Sequence, residues 1–285
     1  MRDSLKTKLA DLAGEVPKRI RPLSGGSVGE VYRADFHERF PWVVKVHGGP
    51  EPNLDVEGYM LTYLKDHSSL PIPQVYHSAP DLLVMEYISG ESAFSHNAEV
   101  HAAQLLSALH EISAPKFGLE RDTLIGSLHQ PNPLTDSWLT FFGEHRLLYM
   151  AHQAMQEKRM GLDTFARLEK FVSHLDRWIR EPEHPSLLHG DVWTTNVLAE
   201  DNKISGFLDP AIYYGHPEIE LAFISLFNTF GDSFFETYNQ IRPIDDGFFE
   251  ERQDIYNLYP LLVHVRLFGG GYLRTVESTL SRFGY

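Results

Sequence analysis

The chain contains no cysteine in 285 residues. That absence excludes a disulfide scaffold, a thiolate zinc site, an iron–sulfur cluster and a cysteine nucleophile. Basic residues are in deficit, with 25 Lys and Arg against 39 Asp and Glu, for a formal charge of −14. A nucleic-acid backbone needs a clustered basic face, so nucleic acid is excluded as a partner. No apolar run approaches the roughly 18 residues of a membrane span. The first residues, MRDSLKTKLADLAGEV, are too polar for a secretory core. The expectation is a soluble cytoplasmic chain with no membrane partner. The hydrophobic fraction of 42% excludes global disorder, and the length suits one large domain or two fused lobes.

Sequence character changes near position 90. Before it come short β-prone runs (28–34, 42–47 and 82–88), interrupted by one amphipathic helix over 55–67. Beyond it, helical periodicity dominates, over 97–112 and again over 163–181, with a loop-rich stretch at 113–133 between them. The reading is an α+β protein of two lobes, a small β-rich lobe over 1–89 and a larger helical lobe over 90–285. The acidic excess follows the same division. Residues 1–90 hold 10 basic and 12 acidic side chains, and residues 91–285 hold 15 and 27. A bound anion would therefore meet less repulsion in the first lobe.

Three motifs carry chemistry. The turn LSGGSVGEVY over 23–32 has glycines at 25, 26 and 29. Backbone amides there can approach an anion closely, although such a turn also serves simply to join two strands. Next comes Lys45 in the apolar run WVVKV, followed by Glu57 on the predicted helix. Lys45 is either an edge charge facing solvent or a cation for phosphate oxygens, with Glu57 as its counter-ion when the site is empty. The third motif decides the chemistry: LLHGDVWTTNVL over 187–198, then FLDPA over 207–211. An Asp, an Asn five positions on and a second Asp after one hairpin are what phosphoryl transfer requires. On that reading Asp191 accepts the proton of an attacking hydroxyl, while Asn196 and Asp209 hold Mg²⁺ across the nucleotide phosphates; the alternative is an Asx-turn at Asp191 and a turn Asp before Pro210.

The HGDxxxxN pattern followed by LDP resembles the aminoglycoside phosphotransferase and choline kinase branch of the protein-kinase-like fold. Further segments narrow the resemblance: HGDVW at 189–193, DPAIYYG at 209–215, HPEIELA at 216–222, FGLERDTLIG at 117–126, DSWLTFFGEHRL at 136–147 and LYPLLVHVRLFGGGY at 258–272. Together they resemble the fructosamine kinase (ketosamine 3-kinase) family, from about Leu23 almost to the C-terminus. The resemblance implies ATP as cosubstrate and a ketosamine, small or protein-borne, as acceptor. It implies transfer to the sugar 3-hydroxyl, after which an unstable 3-phosphate releases the amine and reverses glycation. Residue by residue, it places Lys45 at phosphate and paired with Glu57. Met85, Glu86 and Tyr87 form a hinge whose backbone contacts adenine, and Gly25, Gly26 and Ser27 lie at the glycine turn. Trp193 floors the sugar site, His264 lies near the substrate, and Glu220 anchors backbone around the catalytic loop. Ser27 stands where eukaryotic relatives often carry cysteine, so thiol-based control cannot operate there. Val263 and Arg266 stand where the family usually has Asn.

Two other readings stay in view. One is another hydroxyl kinase of this fold, for an aminoglycoside, choline or homoserine. The other is a non-catalytic nucleotide-binding module, which normally lacks one of Lys45, Asp191, Asn196 or Asp209. Trp138, Phe141 and Phe142 recur at helical spacing and are expected in the core. Gly269–Gly271 are expected to form a loop that lets backbone pack closely beneath the substrate site.

Overall fold

Alternation along the strands of a five-stranded sheet builds the first lobe. The structure, a computed structural model, describes residues 2–23 and 29–285. Gly25, Gly26 and Ser27 therefore lie outside the described residues. Helix α1 (Arg2–Ala13) precedes strands β1 (Arg19–Pro22), β2 (Glu30–Asp35) and β3 (Trp42–Val46), then helix α2 (Leu54–His67) and strands β4 (Val75–Ala79) and β5 (Leu82–Glu86). The strands form one antiparallel sheet in the order β1-β2-β3-β5-β4. Successive side chains of a strand point to opposite faces. Trp42, Val44, Leu82 and Val84 thus join Leu5, Leu9 and Ala13 of α1 in one small core. Leu83 and Met85 lie on the other side, in the core they share with Met60, Leu61 and Leu64 of α2. Lys45 falls between Val44 and Val46, opposite Val31 and Leu83, and this parity turns it toward α2.

The second lobe is mainly helical. Its elements are α3 (His96–His110), the hairpin β6 (Thr123–Ile125) and β7 (Leu128–Gln130), α4 (Trp138–Phe142), α5 (Tyr149–Gln156), α6 (Leu162–Val172), strands β8 (Ser186–Leu188), β9 (Val197–Glu200), β10 (Lys203–Phe207) and β11 (Tyr213–Gly215), and then α7 (Pro217–Leu226), α8 (Asp232–Ile241), α9 (Gln253–Phe268) and α10 (Gly271–Arg282). Trp138, Phe141 and Phe142 are wholly buried, as their spacing led us to expect. Their helix starts where it does because Ser137 caps it and Glu181 accepts the amides of Trp138 and Leu139, at 2.6 and 3.3 Å. Among the described residues, no helix is long and apolar enough to cross a membrane.

Three sequence expectations are corrected. The periodic stretch 163–181 is not one helix: α6 ends at Val172 and a separate 3₁₀ turn covers Leu175–Arg177. The break lets Phe171 and Trp178 stack on each other and pack tilted or edge-on against Phe283 and Tyr285, burial that a straight helix could not provide. The loop-rich stretch contains the hairpin β6–β7. Gly270 and Gly271 do not permit close packing, since an added Cβ would meet nothing within 4 Å at either. Gly269 is different. Its φ of +81° ends α9, a left-handed turn that glycine supplies at little cost.

Candidate active site

The site is assembled by one short strand pair. Strand β8 leads into His189-Gly190-Asp191, and β11 follows the Asp209-Pro210-Ala211 segment. Pairing of Tyr213 with Leu188 sets the two loops side by side. The Ala211 amide then donates to the His189 carbonyl at 2.8 Å, and Leu208 to that of Asn196 at 2.8 Å. Residues 18 positions apart in sequence are thereby brought to one cleft.

Each key side chain is held. Asn196 donates its amide to Asp191, at 2.8 Å to Oδ2 and 3.1 Å to the backbone carbonyl. That leaves its Oδ1 available as a hard ligand. His189 is fully buried and accepts the Asp191 amide through Nδ1 at 3.3 Å, which assigns the remaining proton to Nε2. Burial lowers its pKa to about 4, so the ring is neutral. The Lys45 Nζ lies 2.7 Å from Glu57 Oε1 and 2.5 Å from Asp209 Oδ1, bridging the two lobes. Burial alone would lower the Lys45 pKa, but the two carboxylates outweigh it and raise it. Asp209 is held below the usual carboxylate range, because the ammonium more than offsets burial. Glu57 is pushed up by burial, against the pull of Lys45. Among the described residues, no cation pairs with Asp191. Burial and then the charge of Asp209 push it up to about 8, against the Asn196 hydrogen bond.

Glu220 anchors the loop from behind. One carboxylate oxygen accepts the Gly190 amide at 2.6 Å, and the other lies 2.9 Å from His110 Nε2. His110 Nδ1 in turn meets the Tyr238 hydroxyl at 2.7 Å. Burial would raise Glu220, yet the His110 hydrogen bond leads the contacts that bring it below its ordinary value. Substituting Glu220→Gln places an amide group where two donors already converge. The expected result is a loss of about 1–3 kcal/mol in urea unfolding, the cost of leaving a buried donor unpaired. Turnover should fall with it, because the displaced amide is the one preceding Asp191.

Two cavities meet at Asp191. The larger, about 660 Å³, lies between the lobes and is lined by Leu23, Lys45, Glu57, Met85, Asn196 and Asp209 among others. The smaller, about 160 Å³, lies in the helical lobe among Tyr213, Phe223, Tyr259, His264 and Phe268. Asp191, Trp193 and Gly126 line both. Trp193 packs edge-on to Phe227, and Phe227 lies 5.2 Å from the His264 ring, forming one aromatic wall. His264 donates through Nδ1 to the Pro260 carbonyl at 2.7 Å, and burial lowers its pKa. Val263 lines the smaller cavity, whereas the Arg266 guanidinium is engaged by Glu157 at 2.7 Å.

Two of the three residues that the resemblance places at a hinge have engaged amides. The Glu86 amide donates to Gln74 O at 2.8 Å and the Tyr87 amide to Pro41 O at 3.2 Å, so neither is free for a ligand. Among the described residues, no acceptor pairs with the amide of Ile88, which lines the same cavity. Sequence reasoning missed Gly126 and Tyr259 as site residues. Both fall inside segments it had marked, FGLERDTLIG and LYPLLVHVRLFGGGY, but used only for resemblance.

Comparison with known proteins gives this geometry its class. A family model described as fructosamine kinase matches residues 1–283. The chain belongs to the fructosamine kinase family. It is 37% identical over 271 residues to a "probable ketoamine kinase" of Synechocystis sp., covering 92% of this chain and 89% of that protein. It is 32% identical over 291 residues to another of that description from Enterococcus faecium, covering 98% and 99%. The crystal structure of a "putative fructosamine-3-kinase" from Thermobifida fusca matches with a TM-score of 0.86 at 29% identity, over 98% of this chain and 99% of that one. An aminoglycoside phosphotransferase crystallised with AMP-PNP and hygromycin B matches with a TM-score of 0.69 at 16% identity, over 99% of each chain. This second likeness is one of fold, and it places the two lobes in the protein-kinase-like class. The fructosamine kinase family makes the chain a phosphotransferase.

Proposed function

We propose that this kinase transfers the γ-phosphoryl group of ATP to the 3-hydroxyl of a ketosamine, a sugar adduct of an amine or a protein lysine, and so takes part in deglycation in the cytoplasm. The observation that carries the reading is the pair of cavities sharing Asp191: one is large enough for a nucleotide, and the other is walled by the aromatic faces that suit a sugar. The nucleotide belongs to the lobe over 1–89 and the acceptor to that over 90–285. Met85, the Glu86 carbonyl region, Tyr87 and the Ile88 amide would face adenine, with Gly25, Gly26 and Ser27 over the phosphates. Trp193 and His264 would hold the acceptor sugar.

In mechanism, Asp191 orients the attacking hydroxyl and takes its proton. A pKa of about 8 suits that task, since a general base works best when its pKa lies near the working pH. Lys45 gives up Asp209 and turns its charge to the phosphates, with Glu57 keeping it in place. The Asn196 Oδ1 and the Asp209 carboxylate are hard oxygen donors, and they fit Mg²⁺, which is commonly held by one or two protein ligands plus substrate phosphates. When bound there, Mg²⁺ would offset charge on the phosphate oxygens. The rest of the work is positioning.

ATP consumption should be measured with Mg²⁺ and a panel of ribulose-, erythrulose- and fructose-lysine, choline and aminoglycosides. Turnover of the ketosamines, with phosphate on the sugar 3-oxygen by NMR, is the expected result. Rapid turnover of choline or aminoglycosides alone would overturn the acceptor assignment.

A further inference from the structure

The segment FGLERDTLIG does more than line a cavity. Between strand β5 and helix α3 the covalent connection of the lobes is a single stretch of chain. The lobes are also joined by contacts from helix α2 to residues 120–121 and 214. The Arg121 guanidinium lies 2.9 Å from Asp55 Oδ2 and 5.1 Å from the centre of the Tyr59 ring. The Tyr59 hydroxyl donates to Glu120 at 3.0 Å, and the Tyr63 hydroxyl lies 3.2 Å from that of Tyr214.

Both ends of this connection lead into the site. Helix α2 carries Glu57, the partner of Lys45. It packs closely onto β4 at Gly58, where an added Cβ would sit 2.2 Å from Ser78 Oγ. On the other side, segment 118–123 is tied to the chain that follows Asp209. Gly118 and Tyr214 exchange amide–carbonyl bonds at 2.9 Å each way, and the Thr123 hydroxyl donates to Ile212 O at 3.3 Å. A few residues on, Gly126 lines both cavities.

We infer that Arg121 and Glu120 are positioning residues: they latch helix α2, and with it the Lys45–Glu57 pair, to the lobe that carries Asp191 and Asp209, and so set the aperture of the nucleotide cleft. This rests on the reading of that cleft as the nucleotide site. The Arg121 and Asp55 side chains are 44% and 34% exposed. Exposed ion pairs of this kind contribute little to overall stability. Their effect is instead on which lobe arrangement is populated, and a ligand that needs the closed arrangement binds in proportion to that population.

The test combines Arg121→Ala with Tyr59→Phe. Calorimetric titration with MgATP should show affinity about 10-fold weaker than wild type. The KM for ATP should rise more than kcat falls for whichever ketosamine the wild type turns over, and Tm should stay within a few degrees. Arg121→Lys, which keeps the charge beside Asp55, should recover most of the affinity. A second readout does not depend on the nucleotide. The chain has no native cysteine, so Lys6→Cys with Gln240→Cys gives a spin-label pair across the lobes without background. Its distance distribution should be narrow in the wild-type latch and broadened in the double variant. Unchanged MgATP affinity with an unchanged distance distribution would overturn the latch. So would a uniform loss of Tm and of both substrates that Arg121→Lys does not recover. A wild type that binds MgATP but spares every ketosamine would count against the acceptor reading alone.

Discussion

Replacing Asp191 with Asn is expected to abolish transfer, leave nucleotide binding nearly intact and stabilise the ligand-free protein. Asn keeps the shape and can still meet Asn196, but it cannot accept a proton. Loss of a positioned general base costs about 10²–10⁴-fold in rate. Initial rates of ATP consumption measure that loss, and MgATP titration checks binding. The stability gain follows from the raised pKa. Asp191 titrates at about 8 in the folded protein, against an ordinary carboxylate value near 4 when unfolded. Below pH 4 both states are protonated and the group contributes nothing. As pH rises from 4 to 8 the unfolded chain releases its proton while the folded one retains it, so wild-type stability falls through that window and levels off above it. Asn carries no such penalty. Its advantage over wild type should grow from pH 4 to pH 8, reaching about 1–2 kcal/mol after allowance for the partial exposure of the carboxylate. Thermal melts at pH 5 and pH 8 measure it. A variant that retained near-normal turnover would show that Asp191 is not the base.

Gly190→Ala should be nearly as damaging, by a different route. Gly190 has φ +85°, and a Cβ built on it would lie 2.1 Å from the Ala211 carbonyl oxygen. The left-handed conformation costs an L-residue roughly 1–2 kcal/mol. The overlap adds to that, because the obstacle is backbone and not the end of a flexible side chain. Either the catalytic loop or the Asp209–Ala211 segment must move, and the bond from the Ala211 amide to His189 O is lost with it. The expected outcome is destabilisation of about 3 kcal/mol or more in urea unfolding. A fall of at least about 100-fold in kcat is also expected, since a displacement near 1 Å of catalytic groups costs that much. Wild-type turnover in a folded Gly190→Ala protein would mean that this close approach of the two loops is dispensable.

Local pattern was enough for a good part of this protein. The strand around Lys45, helix α2 and helix α3 were legible within a residue or two, because burial parity and helical spacing are written in neighbouring side chains. Asp191, Asn196 and Asp209, proposed here as base and metal ligands, stand out in one motif because phosphoryl transfer demands those residue types in that order, and the fold brings them to one cleft. The role of Glu220 as an anchor also matches the contact that the fold makes. The break after Val172 was not legible. Continuous helical periodicity was overridden by aromatic residues from the far C-terminus, which local spacing cannot report.

The lack of cysteine, the acidic balance and the HGD–Asn–Asp signature are properties of composition and short-range order, and the sequence by itself determined them. It thereby limited the chemistry to what oxygen and nitrogen side chains can do. Only the tertiary structure decided that Lys45, beside Glu57, also reaches Asp209, that two cavities meet at Asp191 and that the amides of Glu86 and Tyr87 are already taken. It alone placed Arg121 against Asp55. Each of these joins residues far apart in the chain. Such contacts depend on how the lobes pack, which no local periodicity encodes.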